Sequence, residues 1–288
     1  MPHVYVGSLI AAALPHAHGF HAFLLIVCLG LLVAVPTAAF MAVQIGIIYF
    51  FAGFRFDWKQ SLLLLIASLF AIKGLADLGV YHGSLKLPIT LLVILAASSL
   101  GYAVSLAIRD KNLLLPVVMF AACIDFWTVN FGPVHTMLNR APDVAAAVSV
   151  PIPQAGNPSL SLAPMIGPGD FIFMALVFAV VHRFGMNAKR NYKFVLAMMT
   201  LGMLAVLFIS LLPYLPALMV LAVAVIAGNW REFKLSREEK ISTAIVGVLL
   251  AVSLPIVWYA LKPGPAPPAG SHTPPAATSP PAASGPSR

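Results

Sequence analysis

Gly167-Pro168-Gly169-Asp170-Phe171-Ile172-Phe173-Met174-Ala175-Leu176-Val177-Phe178-Ala179-Val180-Val181 is the stretch that decides the fold. Every residue from Phe171 to Val181 is apolar, so a helix built from it has no polar face and must be enclosed by protein or lipid. Two glycines and a proline weaken helical structure just before the acid. The rest of the chain has the same character. Of 288 residues 60% are hydrophobic and 9% charged, against about 45–50% apolar and about 25% charged in ordinary soluble domains. This composition excludes a soluble globular protein. Several apolar runs are long enough to cross a hydrocarbon core of about 30 Å, and such crossings are helical because each helix satisfies its own backbone groups. The expected fold class is therefore all-α, a polytopic transmembrane helical bundle.

Eight apolar segments fall at about 20–54, 60–80, 86–108, 113–133, 160–184, 191–212, 213–229 and 241–262. The first contains Pro36 near its middle and reads either as one helix or as two shorter ones. No Lys or Arg precedes Arg55 and the run Val4 to Leu14 is short, so a cleaved signal peptide is not expected. Alternating the loops between two sides puts Arg55, Lys59, Arg109, Lys111, Arg183, Lys189, Arg190, Lys193, Arg231, Lys234, Arg237 and Lys240 together. Only Lys86, Arg140, Lys262 and Arg288 fall on the other side, and Lys73 lies within a segment. The basic side is expected to be cytoplasmic and both termini extracytoplasmic. Residues 1–262 form the expected membrane domain. From Pro263 to Arg288 the sequence turns to Pro, Ala, Ser and Gly, a disordered tail that lacks the large apolar side chains needed to fold. The loop from Val134 to Leu160 is the one long internal connection, and its 147–153 run reads as extended.

Charges inside a membrane are costly and mark function by default. Lys73 and Asp77 are four residues apart and can pair on one helix face. Asp125 and Asp170 have no basic residue within two turns. Asp125 lies 14 residues from Lys111 and Asp170 lies 13 from Arg183, which puts them about 21 and about 20 Å from the basic end. Two carboxylates at one level in a low-dielectric site cannot both ionise, so a facing pair holds one proton between them. Aspartic-protease chemistry needs this arrangement: one carboxylate takes a proton from water while the other donates to the scissile carbonyl. Pro216, 15 residues from Arg231, reaches about the same depth.

Gly167-Pro168-Gly169-Asp170 resembles the GxGD motif of the presenilin and signal peptide peptidase family, and Pro216-Ala217-Leu218 resembles its PAL motif. The two occur in family order, with Asp125 upstream and one helical hairpin between them. The resemblance covers about residues 113–229 and implies a presenilin-like catalytic core. It further implies an intramembrane aspartyl protease with Asp125 and Asp170 as the catalytic pair. Gly167, Gly169, Pro216, Ala217 and Leu218 are then expected to shape the substrate site. No cofactor or metal is required. The expected partners are transmembrane proteins or remnant signal peptides as substrates, and the lipid bilayer; no nucleic-acid partner is needed to explain the +8 charge. The sequence departs from the family in three ways. Ile124 stands before Asp125 where an aromatic is common, Pro168 fills the variable position of GxGD, and three segments precede the Asp125 segment where the family has five, with one following PAL.

Other features are weaker. Cys28 and Cys123 read as small packing residues, and Trp58, Trp127, Trp230 and Trp258 as interfacial or packing groups. His3, His16, His18 and His21 read as interfacial histidines rather than a metal site. His135 and Asp143 read as solvated loop residues. A rival reading of the two aspartates is a proton relay in a transporter or channel. A prepilin-peptidase-like enzyme also uses GxGD but lacks PAL, and a non-catalytic helix-binding protein is a third possibility.

Overall fold

The computed structural model describes residues 20–77, 86–130, 150–151, 165–208 and 216–261. Among them the chain is mostly helical, with α1 Phe20–Gly53, α2 Trp58–Asp77, α3 Lys86–Ser105, α4 Leu114–Asn130, α5 Pro168–Arg183, α6 Ala188–Phe208, α7 Ala217–Asn229 and α8 Arg237–Leu261. A 3-10 turn, Lys111–Leu113, leads into α4. Four stretches are long and apolar enough to cross a membrane: Gly30–Gly53, Trp58–Asp77, Leu87–Ser105 and Lys111–Val129. α7 is apolar but shorter. The first apolar segment is a single helix that contains Pro36. The tail from residue 263, most of the 134–160 loop, His3, His16, His18, His135 and Asp143 lie outside the described residues.

α5 is the central element. Its residues Phe171 and Met174 to Val181 are all buried, as their unbroken apolarity requires. α3 and α1 pack on it, α6 and α7 touch it, and α4 joins through α7. Small residues make the α3–α5 contact close: a Cβ placed on Gly101 would stand 2.1 Å from the Ile172 carbonyl oxygen. In lipid, where apolar surface gains little by leaving solvent, such close approach is a main source of helix association. The Arg183 guanidinium closes one end of this pair by donating to the carbonyls of Ser105, at 2.7 Å, and Ile108.

The periphery is inverted relative to a soluble protein. On α2 the buried residues are Ser61 and Ser68, while Leu63 and Phe70 are exposed. Ser68 tucks its hydroxyl onto the Leu64 carbonyl at 2.7 Å. On α8, Ile241, Ile245, Val248, Leu249 and Val252 are exposed together. Contiguous apolar faces of this kind are rare on soluble monomers and fit lipid contact. Lys73 and Asp77 do pair, at 2.9 Å, but on the exposed surface of the last turns of α2. Cys28 is exposed, so the packing role expected for it is corrected; it sits on a helix face that nothing covers among the described residues. Trp58 and Trp230 are exposed at helix ends, Trp58 with Lys59 over its ring, as interfacial residues are.

α8 is fastened to α4 at one end. Ser236 and Glu239 cap its first turn reciprocally, with Ser236 N donating to Glu239 Oε2 at 2.7 Å and Glu239 N to Ser236 Oγ at 3.2 Å. Asn112 Nδ2 donates to the Lys234 carbonyl and to the Glu239 carboxylate. The Ser236 backbone bond, helped by Asn112, holds the Glu239 carboxyl below its ordinary range. A depressed carboxyl contributes stability above its unfolded value, and the contribution is lost as pH falls through the folded value. Hydrogen exchange should therefore show the first turn of α8 opening as pH drops below about 4.3, while Glu239→Gln should flatten that dependence. Equal pH profiles in the two proteins would contradict the latch.

Candidate active site

Asp170 lies in the first turn of α5, with Gly167 as the N-cap and Pro168 opening the helix. Within the apolar segment read from about residue 160, helix α5 begins at Pro168, a residue suited to a first helical position. Ahead of it Met165–Ile166 pairs antiparallel with Val150–Pro151, Val150 opposite Ile166. The extended reading of 147–153 therefore holds at its two described residues. Asp170 N donates to the Gly167 carbonyl at 3.1 Å, and Gly167 N donates back to Asp170 Oδ2 at 3.1 Å. Gly169 is exposed beside the acid, and a Cβ built on it would meet nothing within 4 Å.

Asp125 lies on α4, five residues before its end, and is partly buried. Pro216 caps the start of α7 in extended conformation. A helix leaves its first amide N–H groups without intrahelical partners, and one of these, Leu218 N, donates to Asp125 Oδ2 at 2.9 Å. The PAL tripeptide is thus tied by its backbone to the first acid.

Both acids sit at helix N-termini, Asp170 on its own helix and Asp125 on that of α7, where orphan donors and the helix dipole favour an anion. Each engages its Oδ2 oxygen with one backbone N–H; among the described residues no hydrogen bond engages either Oδ1. Ala217 borders a small cleft of about 40 Å³ between α6 and α7, shared with Met199, Gly202, Met203, Val206 and Val220. The structure therefore ties Gly167 to Asp170 and Leu218 to Asp125 by direct hydrogen bonds, with Pro216 and Ala217 adjoining through α7.

The amide of Leu218 as a partner of Asp125 was not read from the sequence. The signal was present, since a proline at a helix start leaves the next N–H groups free, but sequence does not say which acid meets them. Comparison with protein-family models, with curated proteins and with solved structures found no match.

Proposed function

We propose that the protein is an intramembrane aspartyl protease of presenilin and signal peptide peptidase type, hydrolysing peptide bonds within transmembrane segments or remnant signal peptides. In this reading the eight helices are eight membrane crossings, and α4 to α7 form the catalytic core. The observation that carries the proposal is the hydrogen bond from Leu218 N to Asp125, because it joins the PAL segment to the acid that precedes the GxGD motif. One carboxylate of Asp125 and Asp170 is ionised and draws a proton from water; the other is protonated and donates to the scissile carbonyl. No metal or cofactor takes part. Gly167 and Gly169 let a substrate backbone approach the acid, and Pro216, Ala217 and Leu218 hold the opposite wall.

Orientation supports a choice of substrate. With the basic loops cytoplasmic, α4 runs outward and α5 runs back, so the pair lies in the outer half of the bilayer. This matches signal peptide peptidases and is opposite to presenilins. Substrates with a cytoplasmic N-terminus are then preferred, and a helix must unwind near the cut to expose its carbonyl. The test uses matched transmembrane reporters in both orientations, together with topology fusions after Pro142 and after Glu232. Fusions reporting outside and cytoplasmic respectively, with faster cleavage of the N-in reporter, are the expected results. Reversed fusions or equal cleavage would defeat the orientation, and absence of any cleavage would defeat the protease.

Ala217→Leu should lower turnover by about a hundredfold, the scale expected when reacting groups shift by about 1 Å. The longer side chain fills the cleft beside Met203 and levers α7, carrying Leu218 N away from Asp125. Protein yield should be unchanged. Cleavage kinetics equal to wild type would remove this segment from the site.

A further inference from the structure

A groove on the described surface lies away from the aspartates. It has a volume of about 540 Å³ and runs between α1 and α6, lined by Val43, Gly46, Ile47, Phe50, Phe54 and Tyr192 among others. Gly46 opens its floor, for a Cβ there would stand 3.8 Å from the Tyr192 hydroxyl. Beside it, Tyr49 packs on Phe178, His182 and Tyr192, with ring centroids 5.5, 5.0 and 4.9 Å away. The walls are apolar and open to the side, so the occupant comes from the membrane.

The occupant is set by length and charge. From Ala42 to Phe54 the groove spans 12 residues of helix, about 18 Å, close to one leaflet of a core about 30 Å thick. A transmembrane helix would need about 20 residues to cross the whole core. At the end where α1 stops and α6 begins, Arg55, Lys189 and Lys193 are all exposed. The neighbouring Arg183 and Arg190 are engaged, Arg183 with the Ser105 and Ile108 carbonyls and Arg190 with Glu232 at 3.0 Å. Arg55, Lys189 and Lys193 form no ion pair among the described residues. Asp57 is the one acid close by in sequence. An amphiphile with a negative head and an apolar tail one leaflet long satisfies both ends, whereas the basic leader of a signal peptide would be repelled.

We propose that this groove is a binding site for an anionic phospholipid of the leaflet that faces the basic loops. The headgroup phosphate is held by Arg55, Lys189 and Lys193, and one acyl chain lies along Val43, Ile47 and Phe50. The proposal rests on membrane embedding and not on the two aspartates, so failure of the protease reading leaves it intact.

The test places a tryptophan at Phe50, which is 72% exposed. The Phe50→Trp protein is reconstituted in phosphatidylcholine vesicles with increasing fractions of brominated phosphatidylglycerol or brominated phosphatidylcholine, after subtraction of the signal of the parent protein. The expected result is a preference of about tenfold for the anionic lipid, as two or three basic groups at a membrane surface provide. Adding Arg55→Gln, Lys189→Gln and Lys193→Gln, all surface changes, should bring that preference near unity. A tryptophan at the exposed Val223 of α7 should be quenched equally by both lipids. Equal quenching at Phe50, a preference that survives loss of the three basic groups, or absence of quenching by either lipid would overturn the proposal. The last outcome, with a dimer seen in solution, would assign the groove to a second copy of the chain.

Discussion

Asp125→Asn and Asp170→Asn should each lower cleavage of a transmembrane reporter by a thousandfold or more, within the range of about 10²–10⁴ that a positioned acid or base supplies, while leaving the protein folded. The expectation of intact folding follows from the hydrogen bonds. Leu218 N donates to Asp125 and Gly167 N donates to Asp170, and an Asn carbonyl oxygen accepts either bond in place of the carboxylate. What Asn cannot do is cycle a proton. Asp125→Ala differs, because it strands the Leu218 N–H without an acceptor and should cost a further 1–3 kcal/mol or so of stability. The pair of readouts is turnover of a fluorescent transmembrane peptide and thermal unfolding in detergent. Retained activity in either folded Asn protein would remove that residue from the chemistry.

Gly101 is where a single methyl group should do the most structural damage. Its added Cβ would meet the Ile172 carbonyl oxygen at 2.1 Å and the Ala175 Cβ at 2.8 Å. The first obstacle is backbone, which cannot rotate away as a side chain can. α3 must therefore lift from α5, and Ile172 is two residues from Asp170. Gly101→Ala should destabilise by at least about 2 kcal/mol, within the overpacking range of roughly 1–3, and Gly101→Leu should prevent recovery of folded protein. Gly74→Ala is the matched control. Nothing stands within 4 Å of a Cβ there, so it should be neutral or slightly stabilising through helix propensity. Equal stability of the Gly101→Ala and Gly74→Ala proteins would refute the close approach.

Apolarity made the helical class legible, because a run such as Phe171 to Val181 has no other stable home. It did not set where helices begin. The apolar segment around Asp170 extends back to residue 160, yet backbone chemistry at Gly167 and Pro168 starts the helix there and leaves Met165–Ile166 extended. Hydropathy reports what a segment can be immersed in, and capping residues decide its first turn. The spacing to the basic ends put Asp125, Asp170 and Pro216 at one depth, and a backbone bond joins Asp125 to Leu218 beside Pro216. Which faces meet was not legible: Gly101 follows, after Leu100, a run of small residues, Ala96-Ala97-Ser98-Ser99, that signals close packing without naming a partner. The Lys73–Asp77 pair followed from spacing alone, but its position on an exposed face depended on how α2 docks.

The measurement that bears most directly on the central claim is mass spectrometry of a transmembrane peptide incubated with the purified wild-type protein in lipid vesicles. Two products that sum to the peptide plus one water, with new ends inside the hydrophobic segment on its outer half, are the predicted result, and neither product should form with Asp170→Asn. Intact peptide under conditions where the same vesicles show proton flux dependent on Asp125 and Asp170 would contradict it and assign the two carboxylates to transport.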